Sequence, residues 1–65
     1  MDFITALSDV KQGGKITRTA WNDRNVYVCL QAGLLMIRLA DGLFHSWLIS
    51  EVDMYSRDWT TVADA

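Results

Sequence analysis

Leu34-Leu35-Met36-Ile37 constrains this chain more than any other stretch, because it reads as a strand with no polar face. Side chains alternate along a strand, so Leu34 and Met36 point one way and Leu35, Ile37 and Leu39 the other. A half-exposed strand should alternate with polar residues. One apolar face must pack on the chain's own core, and the other on a second subunit or a ligand. Ala40-Asp41-Gly42 follows and separates Leu34–Leu39 from Leu43–Trp47, which is a hairpin signal with Asp-Gly at the turn.

The chain has few other means of stabilising itself. Its 65 residues make one domain, 1–65, of a size that buries only about 60% of its unfolded surface. A single cysteine, Cys29, cannot form an intrachain disulfide, and no Cys/His cluster is spaced for zinc. Half the residues are hydrophobic, more than so small a monomer hides easily. Small domains in this position oligomerise. A homo-oligomer is therefore expected.

Asp2 is placed to cap a helix running to about Gln12, with Phe3, Ala6, Leu7 and Val10 on one apolar face. Gly13-Gly14 stops it, the first glycine suiting the left-handed C′ position. Lys15–Ala20 alternates as a strand, with Ile16 and Arg18 on one face and Lys15, Thr17 and Thr19 on the other. Trp21 ends it, and Asn22–Asn25 has turn composition. Val26–Leu30 is the clearest strand, and Gln31-Ala32-Gly33 breaks it. A further strand ends near Trp47. Ser50 then caps one helical turn to about Tyr55, accepting from the amide of Val52 or Asp53. A last strand runs from Asp58 to about Val62, with Trp59 directed into the core and Ala63-Asp64-Ala65 as a frayed tail. The expected fold class is α+β: an N-terminal helix on a small antiparallel sheet of four to five strands, with a protruding hairpin used for oligomerisation.

Charge and patterning exclude several functions. The net charge is −2, and the basic residues concentrate in 11–24 while acids dominate from 41 onward. Long nucleic acid prefers a broad basic face, so it is not an expected partner. The longest apolar run, Ala32–Ile37, is too short to cross a membrane, and no export signal opens the chain. With a free cysteine, this points to a reducing cytoplasm. His45 and Ser46 are neighbours, yet on a regular strand they face opposite ways, so no nucleophile–base–orienter set is visible. A regular strand does put His45 on the face of Trp47. No enzyme, cofactor or metal is expected.

In order along the chain, Met1-Asp2-Phe3 with Ala6-Leu7, Gly13-Gly14-Lys15-Ile16-Thr17-Arg18, Ala20-Trp21-Asn22 and Tyr27-Val28-Cys29-Leu30 precede a W…S…D-M…D-W pattern of Trp47, Ser50, Asp53-Met54 and Asp58-Trp59. This ordered set resembles the short phage-encoded Thoeris anti-defense sponges. The resemblance implies a homo-oligomer, a tetramer, that binds a cyclised ADP-ribose immune signal without cutting it. Some members of that family also hold cyclic oligonucleotides. A longer segment between the central strand and Trp47, frequent in the family, is here reduced to the Ala40-Asp41-Gly42 hairpin.

The ligand-binding candidates are Trp21, Asn22, Trp47, Ser50, Asp53 and Arg18. Trp21 and Trp47 suit stacking on adenine, and equally suit core or interface anchors. Asp53 suits ribose hydroxyls or an adenine amino group, or is a solvated carboxylate on a helical turn. Arg18 suits a phosphate in bidentate fashion, and Lys15 lies on the opposite face. Asn22 both donates and accepts, and is also ordinary turn chemistry. Two functions from different classes fit: sequestration of a cyclic nucleotide, or a small interaction protein whose apolar hairpin docks on a host or phage protein. A phosphodiesterase is a weak third reading.

Overall fold

The computed structural model describes residues 1–62. Phe3–Lys11 forms a helix, α1, and Ile16–Arg18 a short strand, β1. A 3-10 turn over Thr19–Trp21 leads to strands Tyr27–Gln31 (β2), Leu34–Arg38 (β3) and Phe44–Ser46 (β4). Glu51–Tyr55 is a short helix, α2, and Trp59–Thr61 is the last strand, β5. The five strands make one antiparallel sheet in the order β4-β3-β2-β1-β5. The fold is thus α+β with an N-terminal helix, as the apolar spacing predicts. The tail expected over Ala63-Asp64-Ala65 lies outside the described residues.

The ends of α1 follow their local chemistry. Asp2 accepts from the Thr5 amide at 2.9 Å, filling one of the unpaired donors of the first turn. At the other end Gly13 takes φ +95°; its amide donates to the Val10 carbonyl and that of Gly14 to Asp9. This is the Schellman pattern, which satisfies the last carbonyls. Asp2 and the glycine pair therefore set the length of the helix.

The β2–β3 connection is tighter than a simple break. Gln31 pairs directly with Leu34, leaving Ala32 and Gly33 as a two-residue turn at φ +52° and +79°. Two positive φ values give the twist that a two-residue hairpin needs. Alanine there bears a cost of roughly 1 kcal/mol that glycine would not. The first strand is also shorter than its alternation predicts. It ends at Arg18; the Thr19 amide still donates to the Asp58 carbonyl opposite it at 3.1 Å, and the chain then curls as the Ala20 amide turns to the Asp58 carboxylate and the Asn22 amide to the Thr19 carbonyl.

One face of the sheet carries the core. Phe3, Ala6 and Val10 of α1 pack on Ile16, Val28 and Trp59, all buried. Leu35 and Ile37 pack against this cluster with Leu7, Leu30, Trp21 and Trp47. Trp59 is 1% exposed and meets three other rings: Phe3 at 5.8 Å, Trp21 at 5.4 Å and Trp47 at 5.8 Å. Such tilted and edge-on contacts each add about 0.5–1.5 kcal/mol beyond area burial. Its indole N–H donates to the Asp53 carbonyl at 3.0 Å, so the ring also anchors α2.

The opposite face bears Tyr27, Cys29, Leu34, Met36, Arg38 and Phe44 by strand register, and neither helix lies on the core-opposed side of β2 and β3. Lys15 and Arg38 stand over the Tyr27 ring at 5.0 and 5.9 Å, and Phe44 meets its edge. The apolar strand β3 therefore gives Leu35 and Ile37 to the core and leaves Leu34 and Met36 on the second face.

Trp59→Ala should remove about a third or more of the domain's stability, or all of it at the low end of the range. The substitution costs about 3–5 kcal/mol by itself, against a stability of roughly 3–10 kcal/mol for a chain of this length. Urea denaturation followed by circular dichroism measures the loss; a variant retaining a parent-like midpoint would show that the ring is dispensable.

Candidate functional site

Three of the six residues put forward from the sequence converge. Trp21 from the 3-10 turn, Trp47 beyond β4 and Asp53 from α2 line one open hollow of about 560 Å³. Its other walls are Val26, Ile37, Leu39, His45, Ser46 and Leu48. Trp21 and Trp47 are half-buried, each set edge-on against Trp59 at 84° and 75°. Their remaining surface contributes aromatic wall. His45 does share the hollow with Trp47, and its Nε2 lies 3.3 Å from the Asp41 carboxylate.

Asp53 is a fixed carboxylate rather than a freely solvated one. Ser50 caps α2 by accepting from the Asp53 amide at 3.2 Å, and Asp53 Oδ2 accepts from the Ser50 amide at 3.4 Å. This reciprocal capping box ties up two otherwise unpaired donors. Asp53 Oδ1 lies 3.4 Å from Arg18 Nη1, with both side chains 13% exposed. Ser50 thus enters the site by holding Asp53 in place, and is not among the residues lining the hollow.

Arg18 and Asn22 line a second, polar hollow of about 350 Å³ with Thr17, Thr19, Asp23, Arg24, Thr60 and Thr61. Thr17 is buried there, its hydroxyl donating to the Val26 carbonyl at 2.6 Å. Asn22 takes a left-handed conformation, φ +52°, a role its short polar side chain tolerates. Arg18 donates through Nε to Asp58 Oδ1 at 2.9 Å besides reaching Asp53. Since Arg18 lines one hollow and Asp53 the other, their ion pair joins the two.

Asp58 carries more of this arrangement than its sequence position announces. Besides Arg18, its carboxylate accepts from the Ala20 amide at 2.9 Å, and its carbonyl accepts from the Thr19 amide and hydroxyl. The Arg18 hydrogen bond foremost holds the Asp58 carboxyl below its ordinary value; burial opposes it, and the Ala20 amide adds a lesser lowering. Sequence reading also missed the apolar walls Val26, Leu39 and Leu48. No spacing signals them, because they come from a turn, a hairpin and a loop that meet only in three dimensions.

Among the described residues, no group of three or more His, Cys, Asp or Glu is placed to hold a metal ion, and no helix is long and apolar enough to cross a membrane. Cys29 is buried, and burial raises its thiol pKa, which disfavours the reactive thiolate.

Fold and site together define a small α+β module with a hollow walled by two tryptophans and edged by one fixed carboxylate. Residues 1–62 match the model of the Thoeris anti-defense 2-like domain, and the chain belongs to that family. It is similar to the Thoeris anti-defense 2 protein of Bacillus phage SP01, with 26% identity across 97% of this chain and 96% of the relative. Their alignment spans 85 positions against a chain of 65 residues, so the relative holds insertions that this chain lacks. Family membership supports a phage anti-defense role for the chain.

Asp58 makes the fold sensitive to acid. A carboxyl depressed in the folded state adds stability that is complete above its unfolded value, near 3.8, and disappears as pH falls through the lower folded value. Thermal melting across roughly pH 2–6, the carboxylate range, should show a falling midpoint at the acid end. Asp58→Asn should flatten that slope; an unchanged slope would show that Asp58 does not carry it.

Proposed function

We propose that this protein sequesters a cyclic nucleotide immune signal, of the cyclised ADP-ribose type or a cyclic oligonucleotide, and releases it unaltered. The observation that carries this reading is the convergence of Trp21, Trp47 and Asp53, from three separate stretches, on one hollow in a chain of an anti-defense family. A hollow of about 560 Å³ is of ligand size. Two tryptophan walls suit a purine, which gains about 1–3 kcal/mol per stacked base. The Asp53 carboxylate, already oriented by Ser50 and Arg18, suits ribose hydroxyls or an amino group. Phosphates are assigned to the polar side, where Arg18 and Asn22 stand. Binding without turnover fits a site in which the one fixed carboxylate is engaged by an arginine.

The hollow is wide open; Leu48, which lines it, and Val52 and Tyr55 of the helix that carries Asp53 are strongly exposed. The other face of the sheet exposes Leu34 and Phe44. Two separate apolar surfaces suit two kinds of contact between copies, the requirement for a tetramer of dihedral symmetry. In this reading a second subunit closes the hollow, and the assembly works in the host cytoplasm. The same surfaces keep the interaction-protein reading in play, with a host or phage protein as occupant.

The protein should be incubated with cyclic ADP-ribose isomers, freed of unbound nucleotide and heat-denatured, and the supernatant resolved by chromatography. Intact nucleotide is the expected release. A processed product would indicate an enzyme, and no nucleotide an interaction protein. Trp47→Ala should weaken binding by roughly 5- to 150-fold, the equivalent of one stacking contact. A Trp47→Ala protein that melts and assembles like the parent and binds with equal affinity would place the ligand elsewhere.

Sedimentation should give a species several times the 7.4 kDa chain mass. Leu34→Asp should yield smaller, still folded species, whereas Leu35→Asp should unfold the chain because Leu35 packs on the core. A folded parent at chain mass would remove the oligomer from the proposal.

A further inference from the structure

Asp58 lies outside the hollow's lining, yet the 3-10 turn that carries Trp21 hangs from it. The residue at the cap position of that turn is Arg18, whose side chain makes no capping bond. An arginine has donors only, so it cannot satisfy the turn's first amides. The acceptors come instead from a residue 38 positions away: Asp58 Oδ2 takes the Ala20 amide at 2.9 Å. The Asp58 carbonyl takes the Thr19 amide at 3.1 Å and the Thr19 hydroxyl at 3.2 Å. The other carboxylate oxygen takes Arg18 Nε at 2.9 Å, and Arg18 Nη1 reaches Asp53. One carboxylate therefore fixes a tryptophan wall directly and, through Arg18, the acidic edge of the same hollow.

We infer that Asp58 is a positioning residue for the ligand site, acting as a cap supplied from just before β5 to the turn bearing Trp21. This rests on the proposed nucleotide-binding reading. Asp58 touches no ligand. Its contribution is to hold the Trp21 ring edge-on to Trp59, so that the open face is already formed before a base arrives. Preorganised walls spare a ligand the cost of ordering them.

The test compares Asp58→Asn and the milder Thr19→Val with the parent, alone and combined with Trp21→Ala. An asparagine cannot accept with both terminal atoms, so the Ala20 amide and Arg18 compete for one oxygen. Tryptophan order is read without ligand, by acrylamide quenching of emission and by the exciton band in circular dichroism. Affinity is read by calorimetric titration with cyclic ADP-ribose. Asp58→Asn should remain cooperatively folded, show greater quenching and a diminished exciton band, and bind about tenfold more weakly. Thr19→Val should move every signal in the same direction by less. In the Trp21→Ala background Thr19→Val should weaken binding further by no more than about twofold, the scatter of additive effects, and Asp58→Asn by clearly less than in the parent, keeping only the part that passes through Arg18 to Asp53.

Unchanged quenching and exciton signals in both variants would overturn the assignment. So would an equal loss of affinity whether Trp21 is present or absent, since that would show a general structural effect. If the parent binds no cyclic ADP-ribose, the nucleotide reading fails for that ligand, and the tryptophan signals alone decide whether Asp58 positions Trp21. Should Asp58→Asn fail to fold, Thr19→Val decides by the same criteria, because it leaves the carboxylate and its ion pair in place.

Discussion

The burial of Trp59 is the contact on which the rest of the molecule depends. It brings together the helix through Phe3, the 3-10 turn through Trp21, the β4 exit through Trp47 and the second helix through the Asp53 carbonyl. In a chain whose single cysteine allows no internal disulfide, one large ring that touches every layer does what staples do elsewhere. The same ring lies behind the hollow, so the core and the site are not separate parts. Their shared tryptophan cluster means that both walls rest against a core residue.

Most of the fold could be read because its signals are local. Asp2, the apolar spacing from Phe3 to Val10 and the glycine pair set α1, and each acts within a few residues. Ser50 and Asp53 set α2 in the same way. The doubly apolar β3 carried a long-range message, that the sheet has a core face and a second greasy face, and its register bears this out. The sequence did not reveal the Ala32-Gly33 turn, since alanine is an unusual occupant of positive φ and lacks the asparagine or aspartate that marks such turns.

The site was legible in part, and the division has a physical origin. Trp21, Trp47 and Asp53 were recognisable as chemically able residues, and the sheet order then gathered them. Arg18 and Asn22 face a neighbouring polar hollow, because Arg18 turns toward two carboxylates whose proximity no sequence spacing encodes. Asp58 looked like part of a strand opening. Its importance lies in hydrogen bonds that span some forty positions, and such bonds appear only once β5 is placed beside β1.

That placement has a consequence for how the molecule comes into being. The β2–β3–β4 meander pairs neighbours in sequence and can form as soon as those residues leave the ribosome. β1 pairs with β2 on one edge, and its other edge stays open until Trp59–Thr61 fills it. Loop closure across most of the chain is the slow kind of contact. Trp59 travels on that last strand, so the cluster that Phe3, Trp21 and Trp47 make around it closes only when β5 docks beside β1. The two tryptophan walls of the hollow thus gain their backing from the longest-range pairing in the sheet.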